Sequence, residues 1–142
     1  MEPHYFVATN VLLEKDGKIL LSLRQNTGWA DGQLTIPGGH LEKGESIVTA
    51  AIREANEELG LDLKPEDLTY LCTENKSTNR VYVSVIFTVT TAQTPENKEP
   101  EKCKELLWVD PDNLPENVAP NFKQIIEKAY RGNQQYLEFN LD

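Results

Sequence analysis

Between Glu45 and Leu59 the apolar residues Val48, Ala51, Ile52, Ala55 and Leu59 recur at the spacing of a helical turn. One face of an amphipathic helix is therefore apolar and must lie against something. Gly60 follows the last residue of the stripe and is a natural stop for it. The rest of the chain supplies strands to pack against. Tyr5–Leu13 is rich in Val, Tyr, Phe and Leu, and Ile19–Arg24 reads as its returning partner across the turn Lys15-Asp16-Gly17-Lys18. Leu34–Ile36 is a short extended piece that stops at Pro37-Gly38-Gly39. Leu68–Thr73 and Val81–Thr90 are further strands. In the second of these, Val81, Val83, Val85, Phe87 and Val89 alternate with Tyr82, Ser84, Ile86 and Thr88, which predicts cover on both faces. Leu106–Val109 is a short strand. Asn121–Arg131 is a second helix with Phe122, Ile125, Ile126 and Ala129 on its apolar side. Nothing is readable after Gly132. Strands interspersed with two helices predict one α/β domain over residues 1–142.

Composition narrows the function. Lys plus Arg is 14 against 23 for Asp plus Glu, a formal charge of −9. A general electrostatic nucleic-acid binder needs a basic stripe, so no stable nucleic-acid partner is expected. At 39% hydrophobic residues a packed core is available and wholesale disorder is excluded. The chain starts Met1-Glu2-Pro3-His4, without a basic segment and apolar run, so no secretory leader is expected. No apolar run approaches the ~18–20 residues of a membrane span. Cys72 and Cys103 are far apart and in no metal-binding spacing. They are expected to be free thiols of a cytoplasmic protein.

The same helix carries a conflict. Glu54, Glu57 and Glu58 share one face beside the apolar stripe. Like charges at these spacings repel, and they sit toward the negative end of the helix dipole, at a cost of about 1 kcal/mol in sum. A cation between them removes both penalties. All the donors are oxygens, which favours Mg²⁺ or Mn²⁺. A solvated acidic face is the alternative. Arg53 can pair with Glu57, Glu45 suits a helix N-terminus, and Pro37-Gly38-Gly39 allows backbone to approach a ligand closely.

The stretch Gly39–Leu61 resembles the Nudix box. Gly39 is followed by five residues, Glu45, seven residues, and Arg53-Glu54-Ala55-Asn56-Glu57-Glu58-Leu59-Gly60-Leu61. Every fixed position of that box is met. Only Ala55 is smaller than the usual aliphatic residue. The resemblance implies an α/β/α sandwich around a mixed β-sheet. It implies metal-dependent hydrolysis of a nucleoside diphosphate linked to a group X. By position, Glu54, Glu57 and Glu58 are the implied metal ligands and Gly38 the carbonyl donor. Arg53 would orient the glutamates, while Gly39 and Glu45 would support the loop. In-line attack of water on one phosphorus is expected, with the metal screening the meeting of two anions.

Further candidate residues lie outside the box. Glu101, within Glu99-Pro100-Glu101-Lys102-Cys103-Lys104-Glu105, is the expected extra ligand or general base; a solvated loop is the alternative. Arg24 suits a phosphate clamp or a plain strand-end charge. His40 follows the glycines and could touch metal or phosphate. Trp29, Tyr5, Phe6 and Tyr82 suit base stacking or core packing. The late stretch Glu99-Pro100-Glu101-Lys102-Cys103 with Trp108-Val109 looks like that of the MutT-like branch, which cleaves nucleoside triphosphates, canonical or modified, to monophosphate and pyrophosphate. ADP-ribose or another sugar nucleotide is the second candidate. A non-catalytic nucleotide-binding or regulatory domain would be expected to lack box carboxylates. A homodimer fits the base rate for small enzymes.

Overall fold

The computed structural model describes residues 4–141. Met1, Glu2, Pro3 and Asp142, which the single-domain and leader readings include, lie outside the described residues. Strands β1 (Phe6–Lys15) and β2 (Lys18–Arg24) form the expected hairpin. Its turn places Asp16 and Gly17 at φ of 52° and 77°, the left-handed pair that a two-residue hairpin loop requires. Then come β3 (Leu34–Thr35), β4 (Gly38–His40), helix α1 (Ile47–Leu59), β5 (Leu68–Ser77), β6 (Val81–Val89) and β7 (Cys103–Val109). Helix α2 (Pro120–Gln124) continues as a π-helical stretch through Ile125–Tyr130, and β8 (Tyr136–Phe139) closes the order.

The strands form one mixed sheet in the order β3-β2-β1-β6-β5-β8, with β4 beside β1 and β7 beside β2. β1 runs parallel to β6, and β5 parallel to β8; the other pairs are antiparallel. β1 is forked. On one edge Ala8, Thr9 and Asn10 pair with β4, while Glu14 and Lys15 pair with β2. Between these two partners β2 splays away from β1. The space opened there becomes the cavity described below.

Strand alternation sorts the core into two layers. On one face Val11, Leu13, Phe87 and Val89 pack against Ala51, Ala55 and Leu59 of α1. On the other, Leu12, Cys72 and Ile86 pack under Phe122, Ile125 and Ile126. β6 is thus covered on both sides, as its sequence predicted. Each fully buried Leu or Ile contributes about 1.5–3 kcal/mol. The apolar side of α1 therefore outweighs the ~1 kcal/mol of repulsion among its glutamates.

α1 starts two residues later than the periodicity predicts. The reason is local: the Ser46 side chain caps the helix by accepting the Thr49 N–H at 3.1 Å. It stops at Gly60, whose φ is 68°. Cys72 and Cys103 are both free and buried. Among the described residues no helix is long and apolar enough to cross a membrane.

Candidate functional site

The site is assembled where β4 meets α1. Antiparallel alternation turns the backbone groups of successive β4 residues to opposite sides. Val11 N–H bonds the Pro37 carbonyl at 2.8 Å and Leu41 N–H bonds the Val7 carbonyl at 3.2 Å. Gly38 and His40 therefore direct their backbone groups away from β1. The His40 carbonyl accepts from Arg53 Nη2 at 3.0 Å. The Gly38 N–H faces the Glu58 carboxylate and helps to lower its pKa, and its carbonyl faces the same way.

The glycines are required by space. Neither has a positive φ. A Cβ on Gly38 would overlap the Thr9 carbonyl and approach Asn10 Cα to 2.7 Å. A Cβ on Gly39 would lie 2.5 Å from Glu54 Oε1. The first obstacle is backbone and cannot move; the second is a side-chain end. Gly38→Ala should therefore lower Tm sharply. Gly39→Ala should stay folded but displace Glu54 and lose most activity. Thermal melts and turnover of the two variants check this, and equal effects on both measures would contradict it.

Arg53 organises the acidic face. Its Nε and Nη2 grip both oxygens of Glu45 at 2.7 and 2.9 Å. Its Nη1 donates to Glu54 Oε1 at 2.9 Å and Glu57 Oε2 at 3.1 Å. Glu45 also accepts the Glu42 N–H at 2.8 Å. The guanidinium and that backbone bond hold the Glu45 carboxyl below the usual range. Burial raises Glu54, against the pull of Arg53. Glu58 is pushed up to about 8 by burial first, then by Glu54 and Glu99. Its Oε2 is buried without a hydrogen-bond partner.

A carboxylate oxygen buried without a partner, on a group raised by burial and then by acidic neighbours, is what a hard cation would relieve. The donor set is all oxygen, so the residues fit a divalent metal. Among the described residues no three acidic, imidazole or thiol groups converge closely enough to enclose an ion unaided. The Gly38 carbonyl, with solvent or phosphate oxygens, would complete the shell, a habit typical of Mg²⁺.

These groups border a cavity of about 470 Å³. Glu54, Glu57, Glu58, Gly38, Gly39, Arg24 and His40 all line it, as do Trp29 and Tyr82. Arg24 is fixed by donating from Nε to the Trp29 carbonyl at 2.9 Å, with its guanidinium 5.2 Å from the Trp29 ring. His40 Nε2 lies 3.2 Å from the Tyr82 hydroxyl. Burial, then Arg80 and Lys76, lower its pKa and favour the neutral ring. Phe6 packs beside His40 and Tyr82, and Tyr5 is exposed.

Glu101 is placed differently from the expectation. It is exposed, outside the cavity lining, and its carbonyl accepts from Asn26 at 3.2 Å. Glu99 lines the cavity instead. The loop is tied down by Lys98 N–H to the Glu58 carbonyl at 3.1 Å and by Cys103 N–H to the Glu99 carbonyl at 2.8 Å. These bonds turn residue 99 inward and leave residue 101 at the outer bend. Sequence reasoning also missed Lys76, Lys102 and Phe122, which line the same cavity.

The NUDIX domain family profile matches residues 4–129. The chain belongs to the Nudix hydrolase family. It is a pyrophosphohydrolase, the activity of a family whose members act on small nucleotides and need a divalent metal. It is 34% identical over 128 residues to an ADP-ribose pyrophosphatase of Methanocaldococcus jannaschii, covering 90% of this chain and 75% of that protein. It is 31% identical over 114 residues to the nucleoside triphosphatase NudI of Escherichia coli, covering 72% and 80%. The crystal structure of a MutT NUDIX hydrolase from Burkholderia pseudomallei superposes with a TM-score of 0.79 at 26% identity, covering 88% and 98%. The α/β/α sandwich implied by the box is therefore the fold.

Proposed function

We propose that this enzyme hydrolyses a nucleoside triphosphate, canonical or modified, to the monophosphate and pyrophosphate. The observation that carries the proposal is one continuous cavity. It joins the carboxylates of α1 to a floor containing Tyr82, Phe122 and Lys76. One end suits a diphosphate with its cation; the other suits a flat ring.

Glu54, Glu57, Glu58 and the Gly38 carbonyl would hold Mg²⁺ or Mn²⁺. When bound, that ion screens the phosphate charge and acidifies a water. Arg53 keeps Glu54 and Glu57 in place without touching the substrate. Arg24 and Lys102 supply positive charge along the cavity wall. Glu99 takes the late-loop role expected of Glu101, because it faces the same space as Glu54 and Glu58. The ligand is a free nucleotide, in keeping with the net charge of −9. Two unpaired thiols suit a reducing, cytoplasmic setting.

A second reading is hydrolysis of ADP-ribose. It is favoured by the relative that is 34% identical. The test is incubation with nucleoside triphosphates, oxidised triphosphates and sugar nucleotides, with Mg²⁺, Mn²⁺ or chelator, followed by product separation. Metal-dependent release of pyrophosphate and a monophosphate is the expected result. Release of AMP and ribose 5-phosphate from ADP-ribose alone would replace the proposal by the second reading.

A further inference from the structure

The face of the sheet that floors the cavity carries buried charge. The register aligns Phe6, Tyr82 and Lys76 in one row across the strands, and Ala8, Ser84 and Glu74 in the next. Lys76 is 5% exposed and Glu74 fully buried. The Lys76 ammonium is 3.7 Å from Glu74 Oε1, beyond a good hydrogen bond. It lies 5.2 Å from the ring centroids of both Tyr82 and Phe122. Asn121 Nδ2 donates to the same Glu74 oxygen at 3.3 Å, and Glu74 Oε2 has no partner.

A buried ammonium needs a counter-charge and acceptors for its three N–H groups. Glu74 supplies the charge at long range. The two aromatic faces attract the cation but offer no strong acceptor. Lys76 lines the cavity with these two rings, so its ammonium can donate to an acceptor on a ligand that enters. Tyr82 and Phe122 line the same wall as the ammonium, and a flat ring can lie against them. An ammonium bonds a carbonyl oxygen and repels an amino group.

We infer that Lys76 selects the end of the substrate remote from the diphosphate. It accepts a nucleobase bearing an exocyclic oxo group in preference to its amino counterpart. Glu74 and Asn121 are positioning residues that keep the ammonium charged and aimed. This inference rests on the nucleotide reading above.

Two near-isosteric pairs test it: ITP against ATP, and UTP against CTP. The wild-type enzyme should favour the oxo member of each pair by about tenfold or more in kcat/KM. Lys76→Met should collapse that ratio, raising KM for the oxo member more than it lowers kcat. Calorimetric titration of IMP and AMP in chelator should show the same loss of preference without turnover. Should Lys76→Met fail to fold, Glu74→Gln combined with Lys76→Met removes both charges and is measured in the same way. A ratio unchanged in a folded variant, or a wild-type preference for the amino member, overturns the inference and leaves the reaction standing. Turnover of none of the four nucleotides overturns the inference; failure to cleave oxidised triphosphates as well overturns the triphosphate reading with it.

Discussion

Glu58→Gln should lose at least about 10²-fold in kcat and yet melt higher than the wild type at pH 8 in chelator. Both effects come from one buried carboxylate. Burial, with Glu54 and Glu99 nearby, raises Glu58 to about 8 from an ordinary value of 4.5. A folded-state value above the unfolded one gives stability that is fully present below the unfolded pKa. That stability is lost as pH rises through the folded value. The metal-free enzyme should therefore weaken between about pH 4.5 and 8, by a few kcal/mol at about 1.4 kcal/mol per unit. Glu54, raised in the same direction, adds to the slope. Removing the Glu58 charge should flatten most of it. Saturating Mg²⁺ should restore stability to the wild type at high pH and far less to the variant. Melting curves from pH 4 to 9, with chelator and with Mg²⁺, read all of this. A variant with the wild-type slope and wild-type kcat would sink the assignment.

Arg53→Lys should be nearly as damaging to turnover, although it preserves the charge. The planar fork binds Glu45 through two nitrogens while its third reaches Glu54 and Glu57. A lysine ammonium cannot span that set of directions. Glu54 and Glu57 would lose their common anchor, and the end of β4 would lose the bond to the His40 carbonyl. The expected result is a kcat reduced by ~10–100-fold, by analogy with residues that orient metal ligands. Apparent Mg²⁺ affinity should fall in parallel, with a smaller change in nucleotide KM. A kcat within twofold of the wild type would show that the glutamates hold their positions without the fork.

Much of this was legible from residue order. The stripe from Val48 to Leu59 specified α1, and the spacing of Glu54, Glu57 and Glu58 put them on one face, where all three line the cavity. The misses have physical reasons. β4 consists of Gly38, Gly39 and His40, residues without strand propensity that are extended because β1 pairs with them. β5 seemed to end at Thr73 because Glu74, Asn75, Lys76 and Ser77 are polar, yet the ladder continues to Ser77. Charge normally signals solvent, and only tertiary structure shows these groups turned inward. β8 escaped notice because only Leu137 of its four residues is buried. Glu101 and Glu99 are two residues apart in one acidic run. No pattern distinguishes them; the hydrogen bonds to Glu58 and Cys103 do.

The forked strand β1 has an evolutionary consequence. On the function proposed above, chemistry is drawn from the α1 side of the sheet and recognition from the α2 side. The two meet at Gly38 and Gly39, which have no side chains to transmit a change from one to the other. If Lys76 selects the base as proposed, substitutions on the floor, at Lys76 or Phe122, would retune which molecules are accepted while the hydrolytic end keeps its geometry. A scaffold divided in this way can diversify its diet without relearning its reaction.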